Sequence, residues 1–165
     1  MKRISLNRYF IACLLPLYTG SPVFGQAGDH SRRNLSASLA EANASAAVTV
    51  ARGLPCIFDP QAYGWGAENR CPDAVITAVV VEQGGRRLIV PLSAFADLAN
   101  PHSISLAGKS PKSFSLRISG GDAAVAYRAV LRFNGTGLVS RRVESGEFPQ
   151  ESNEITLYRY NLGLR

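Results

Sequence analysis

Ser113-Phe-Ser-Leu-Arg-Ile-Ser119 and the later run Tyr127-Arg-Ala-Val-Leu-Arg-Phe133 decide the fold of this chain. Phe114, Leu116 and Ile118 share one face of an extended backbone, while Ser113, Ser115 and Arg117 share the other. In the later run Val125, Tyr127, Ala129, Leu131 and Phe133 point one way. Ala124, Ala126, Arg128, Val130 and Arg132 point the other way. A period of two with one apolar face specifies half-buried antiparallel strands. Gly120-Gly121-Asp122 turns the chain between them. Asn134-Gly135 predicts a hairpin beyond, with positive φ at both central residues or with a longer loop reaching Gly137. Leu138 to Glu144 then returns.

The same grammar extends outward in both directions. Val75, Ile76, Val79, Val80 and Val81 make residues 74–82 the most strand-prone stretch, apolar on both faces as in a central strand. Gly84-Gly85 is a two-residue hairpin signal, and a strand over 86–90 follows it. Val48-Thr-Val-Ala opens the ordered part. Ser93 to Ala99 reads as one or two helical turns, capped by Ser93 and stopped by Asn100-Pro101. Residues 146–152, with Pro149, read as a loop, and 155–160 as the last strand. The expectation is an all-β domain over 47–165: an antiparallel β-sandwich or small barrel of about seven or eight strands with one short helical turn. An immunoglobulin domain is disfavoured, because Cys56, Trp65 and Cys71 all lie in one short segment.

The amino-terminal end carries a different signal. Lys2, Arg3 and Arg8 precede an apolar run from Tyr9 to Tyr18, and small residues follow from Thr19 to Ala27. That order of charge, apolar core and small residues predicts an export signal over residues 1–25, cut before Gln26 or, as the alternative, before Gly28. The apolar run is about ten residues long and holds Pro16, whereas a membrane-spanning helix needs about 20, so no integral span is expected after cleavage. Lipidation at Cys13 is disfavoured by Phe10 three places before it and by the apolar Leu14-Leu15 after it. Residues 26–46 are rich in Ser, Ala and Asn. Leu35 and Leu39 are their only large apolar residues, so a flexible leader is expected there, with at most a frayed helix over 35–42. The destination is periplasmic or secreted.

Export fixes the reading of the cysteines. With Cys13 removed, Cys56 and Cys71 remain, and an even pair in an oxidising compartment predicts a disulfide. It would close the loop Cys56-Ile-Phe-Asp-Pro-Gln-Ala-Tyr-Gly-Trp-Gly-Ala-Glu-Asn-Arg-Cys71. Zinc ligation is disfavoured, since there is no Cys-x-x-Cys and neither His30 nor His102 is close in sequence. Tyr63 and Trp65 alternate with Gly64 and Gly66 in this loop. Two large amphipathic rings on a pre-closed backbone suit a contact surface. Tyr63, Trp65 and Arg70 are therefore the candidate partner-binding residues. The competing expectation makes Trp65, the chain's one tryptophan, a lid folded over the core.

Charge excludes little by itself. The full chain carries net charge +6, but Lys2, Arg3 and Arg8 would leave with the signal and halve the surplus. The basic doublets Arg32-Arg33, Arg86-Arg87 and Arg141-Arg142 are not interleaved with aromatics, so nucleic-acid binding is not expected. Outward Arg117, Arg128 and Arg132 with the mixed-charge run 138–144 would make a positive sheet face, which either meets an acidic partner or protects the strands from aggregation.

Catalytic constellations are weak. Asp59, Glu68, Asp73, Asp97 and Asp122 fall in loops, and His102 follows Pro101 in a turn from which it could pair with Ser103 or Asp97. There is no G-x-S-x-G, no H-E-x-x-H and no EF-hand, and Gly108-Lys109-Ser110 lacks the upstream glycine of a phosphate loop. No cofactor or metal is expected. The Asn-x-Ser/Thr triplets at Asn34, Asn43 and Asn134 matter only in a glycosylating host. These residues favour an exported, non-enzymatic binding or accessory domain that meets a protein partner through the aromatic loop. Two other classes stay open: a small envelope-acting hydrolase using loop carboxylates and His102, and a structural envelope component assembling by strand addition.

Overall fold

The computed structural model describes residues 31–54, 64–68, 70–150 and 152–160. Among them the chain is all-β, arranged as two antiparallel meanders formed one after the other. The first sheet has the order β1-β2-β3-β4, with β1 Arg32–Leu39, β2 Ala44–Arg52, β3 Ala74–Gln83 and β4 Arg86–Leu88. The second has the order β5-β6-β7-β8-β9, with β5 Pro101–Ser110, β6 Ser113–Gly120, β7 Tyr127–Phe133, β8 Leu138–Ser145 and β9 Ser152–Leu157. Among the described residues, helical structure is confined to single 3-10 turns at Ala40–Ala42, Leu92–Ala94 and Ala123–Val125.

The alternation in β6 and β7 is realised residue by residue. Phe114, Leu116 and Ile118 are buried opposite Phe133, Leu131 and Ala129. The Phe114 and Phe133 rings stack with centroids 5.3 Å apart, an arrangement that adds about 1 kcal/mol to simple burial. Gly84 and Gly85 have φ of 55° and 76°, the paired left-handed conformation that joins β3 to β4. At Asn134-Gly135 the longer loop is adopted. The Asn134 side-chain oxygen accepts from the Thr136 and Gly137 amides at 2.9 and 3.0 Å, and the Asn134 amide donates to the Gly137 carbonyl at 3.1 Å.

Three expectations are corrected. From Arg32 onward the stretch expected as a flexible leader is strand and turn, not leader or frayed helix. β1 pairs with β2 along its whole length, from Arg32 opposite Ala51 to Leu39 opposite Ala44. Small residues explain the difference: Ala42, Ala44 and Ala46 are buried, and Leu35 and Leu39 pack on the core. The domain thus begins at least as early as Arg32. Second, Pro101 opens β5 instead of marking a turn. Proline is tolerated at a strand's first residue, where a missing amide costs least, and Ile104 and Leu106 face Ile118 and Leu116. His102 therefore sits on a strand. Third, Ser93 lies inside a 3-10 turn whose preceding residue is Pro91, and no side chain caps that turn.

One buried cluster draws on both sheets: Val48, Val50 and Val81 from the first, Leu116, Ile118, Leu131 and Val143 from the second, with Phe95 and Leu98 from the connection between them. Hydrogen bonds also tie the sheets at their flanks. Arg33 donates to the Pro101 carbonyl at 3.0 Å, and the Leu138 amide donates to the Ile89 carbonyl at 3.4 Å. No helix among the described residues is long and apolar enough to cross a membrane.

Candidate functional site

The segment beginning at Gly64 is stitched to the body by backbone first. The Trp65 amide donates to the Asp97 carbonyl at 3.1 Å, and the Ala99 amide donates to the Trp65 carbonyl at 2.8 Å. Asn100 completes the seam. Its side-chain amide donates to the Gly66 carbonyl at 2.8 Å while its side-chain oxygen accepts from the Ala74 amide at 2.9 Å. Asn100 has φ of 49°, a conformation that asparagine tolerates better than most residues, and its amide both gives and takes hydrogen bonds. Gly66 has φ of 79°, and a Cβ there would stand 2.7 Å from the Tyr127 ring. Only glycine lets the segment lie this close.

Beneath the seam is a buried charge cluster. Arg141 projects from the inner face of β8, opposite Leu131, and its side chain is only 3% exposed. It binds Asp97 at 2.6 Å and also Glu154. Glu154 accepts from Thr156 at 2.9 Å and from the Trp65 indole N–H at 3.3 Å. A buried guanidinium needs such partners, since an unpaired ion in an apolar interior is strongly unfavourable. The two carboxylates keep about a third of their surface exposed (31% and 36%), so the cluster is sealed on the core side and open on the rim. Tyr127 borders it. Burial, with the Asp97 charge second, holds its phenol protonated well above the usual tyrosine range, against a smaller opposing effect of Arg141.

The sequence candidates separate accordingly. Trp65 is half-buried and packs against the core with its indole N–H engaged, the geometry of the lid. Tyr63 and Cys56 lie outside the described residues, as do Cys13, His30 and Asp59. Cys71 is disulfide-bonded, and no complete cysteine pair falls within the described residues. Arg70 is exposed and lines a recess of about 250 Å³ with Arg33, Arg52, His102, Asp73 and Asp122. Asp97 is not His102's partner, because Arg141 holds it. Glu68 is exposed. Asn34 is exposed on β1, Asn43 occupies a left-handed turn position, and Asn134 is spent on its own loop.

A second recess, of about 400 Å³, lies against Trp65. Its lining includes Gly64, Ala67, Val125, Ala126 and the exposed ring of Phe148. Gly64 to Ala67 thus line this recess, which is of mixed polarity and includes Ser145, while Arg70 and Asp73 line the basic one. The two recesses meet near Gly66 and Gly121, where a Cβ on Gly121 would stand 3.0 Å from the Gly66 backbone. Among the described residues no three metal-ligating side chains converge.

Sequence reasoning missed Arg141, Glu154 and Asn100. The signal for Arg141 was its parity: it shares a face with Val139 and Val143, so an arginine falls in an apolar register and needs buried carboxylates. Which carboxylates would reach it depends on how β9 and the 95–97 turn pack, and no local pattern encodes that. Comparison with protein-family models, curated proteins and solved structures finds no match for this chain.

Proposed function

We propose that this protein is an exported, non-enzymatic binding domain of β-sandwich architecture that takes a protein segment combining a bulky apolar side chain with a carboxylate. One observation carries the reading: residues on either side of the Gly66 clamp line two adjoining recesses, one presenting the Trp65 and Phe148 rings in a lining of mixed polarity and one lined by Arg33, Arg52 and Arg70. A segment fixed before binding loses little conformational entropy on contact. Aromatic and arginine side chains supply most of the energy at protein contacts.

Export is supported by the order of charge and apolar residues over 1–25. Pairing of Cys71 with Cys56 would close the loop at its base and restrict the unfolded chain, worth about 3 kcal/mol for a loop of this length. Peptide mapping without reductant tests the pairing, and amino-terminal sequencing of the exported form tests cleavage near Gln26.

The binding reading is tested by panning a random peptide library on the immobilised protein. Enriched peptides place an aromatic or leucine next to Asp or Glu, and Arg52→Ser/Arg70→Ser abolishes their capture. Enrichment indifferent to those arginines refutes the reading. A hydrolytic alternative has one observation in its favour, the presence of His102 with Asp73 and Asp122 in the basic recess. It requires turnover of envelope material that His102→Ala removes.

A further inference from the structure

The outer face of the five-stranded sheet carries a second, independent pattern. Its register places Val130 at the centre of a cross of arginines. Arg128 and Arg132 precede and follow it on β7, and Arg117 on β6 and Arg142 on β8 sit directly beside it. No two arginines are direct cross-strand partners. Arg132 lies between Ser115 and Ser140, Arg128 between Ser119 and Glu144, and Arg117 between Val130 and Ser105. Short serines leave the guanidinium groups room to spread outward. Neighbouring strands are about 4.8 Å apart, so Arg117 and Arg142 are anchored about 10 Å from each other.

One carboxylate answers four cations. Glu144 binds Arg142 at 2.9 Å and Arg128 at 3.9 Å. Arg117 and Arg132 are exposed and have no ion-pair partner among the described residues. At the edge of the same face, β9 aligns Ile155 beside Arg142 and Leu157 beside Ser140, and these are 64% and 70% exposed. Four clustered like charges repel one another in the folded state, and an anionic surface laid against them relieves that repulsion.

We infer that this face docks on an anionic lipid bilayer, with the four arginines on headgroup phosphates and Ile155 and Leu157 inserted at the interface. Charge complementarity selects a continuous negative surface. The face has no aromatic side chain among the residues in register on it, whereas protein contacts are enriched in aromatics and single-stranded nucleic acid stacks on them. Basic residues beside exposed aliphatic ones are the composition of interfacial binding, each arginine contributing through the surface potential. This docking does not depend on the peptide reading above, since it uses neither recess.

Co-sedimentation with phosphatidylcholine vesicles, with and without phosphatidylglycerol, tests it on the full chain. Lys2, Arg3 and Arg8 are present in every form compared, so differences between variants report the sheet. Binding is expected only with the anionic lipid and to weaken with salt. Arg117→Ser/Arg132→Ser weakens it at least about tenfold, Arg117→Lys/Arg132→Lys restores most of it, and Ile155→Ser/Leu157→Ser weakens the part that persists at high salt. Equal binding to neutral vesicles overturns the inference. So does a serine double variant within about twofold of the parent, or binding to polyglutamate or single-stranded DNA with none to the anionic vesicles.

Discussion

Arg141 and Arg142 are neighbours on β8, and their surroundings are opposites. Arg141 faces the core side, 3% exposed, and clamps Asp97 and Glu154 beneath Trp65. Arg142 faces outward, 42% exposed, and shares Glu144 with Arg128. A step of one residue along a strand moves a side chain from one face to the other, so a single basic doublet serves as fastener on one face and as charged surface on the other. The residue type does not set the role; parity does.

The contrast breaks most severely where the inner face is tightest. Gly66→Ala places a methyl against the Tyr127 ring and the Ala99 carbonyl at a φ of 79°, and we expect a loss above about 3 kcal/mol in urea unfolding. Next comes the doublet itself. Arg141→Ala leaves two carboxylates without their cation and costs about 3 kcal/mol, at the low end of that class because both keep solvent access. Arg142→Ala costs less than about 1 kcal/mol, since an exposed pair contributes little. Equal losses for the two would remove the distinction between the faces.

The smallest effect is a pH dependence. Burial keeps the Tyr127 phenol protonated in the folded chain, while in the unfolded chain it ionises near pH 10. The unfolded state then binds fewer protons, so stability declines as pH rises past about 10. Tyr127→Phe retains the ring against Gly66 and Gly120 and removes that part of the slope. Thermal midpoints between about pH 9 and 11 compare the two. Identical slopes would contradict the placement of the hydroxyl.

Much of the fold was legible because large apolar side chains announce a strand. Phe114, Leu116, Ile118, Leu131 and Phe133 alternate without a break, and Gly84-Gly85 turns as its composition dictates. β1 was hidden because it packs through Leu35, Leu39 and small alanines, a composition shared with disordered chain. β5 was hidden because Pro101 reads as a stop, although Ile104 and Leu106 alternate with Ser103 and Ser105. The site was legible only in part. Trp65 and Arg70 stood out by residue type, but their assignment to two recesses follows from Asn100 and Arg141, whose partners are distant in sequence.

Trp65 offers the most direct test, because it is the chain's one tryptophan and reports the clamp alone. We predict that acrylamide quenches its fluorescence several times less in the native protein than in urea. Arg141→Ala should raise the quenching while far-ultraviolet circular dichroism keeps its β signature. Native quenching equal to that in urea, or quenching unaffected by Arg141→Ala, would contradict the clamped segment on which the proposed binding site rests.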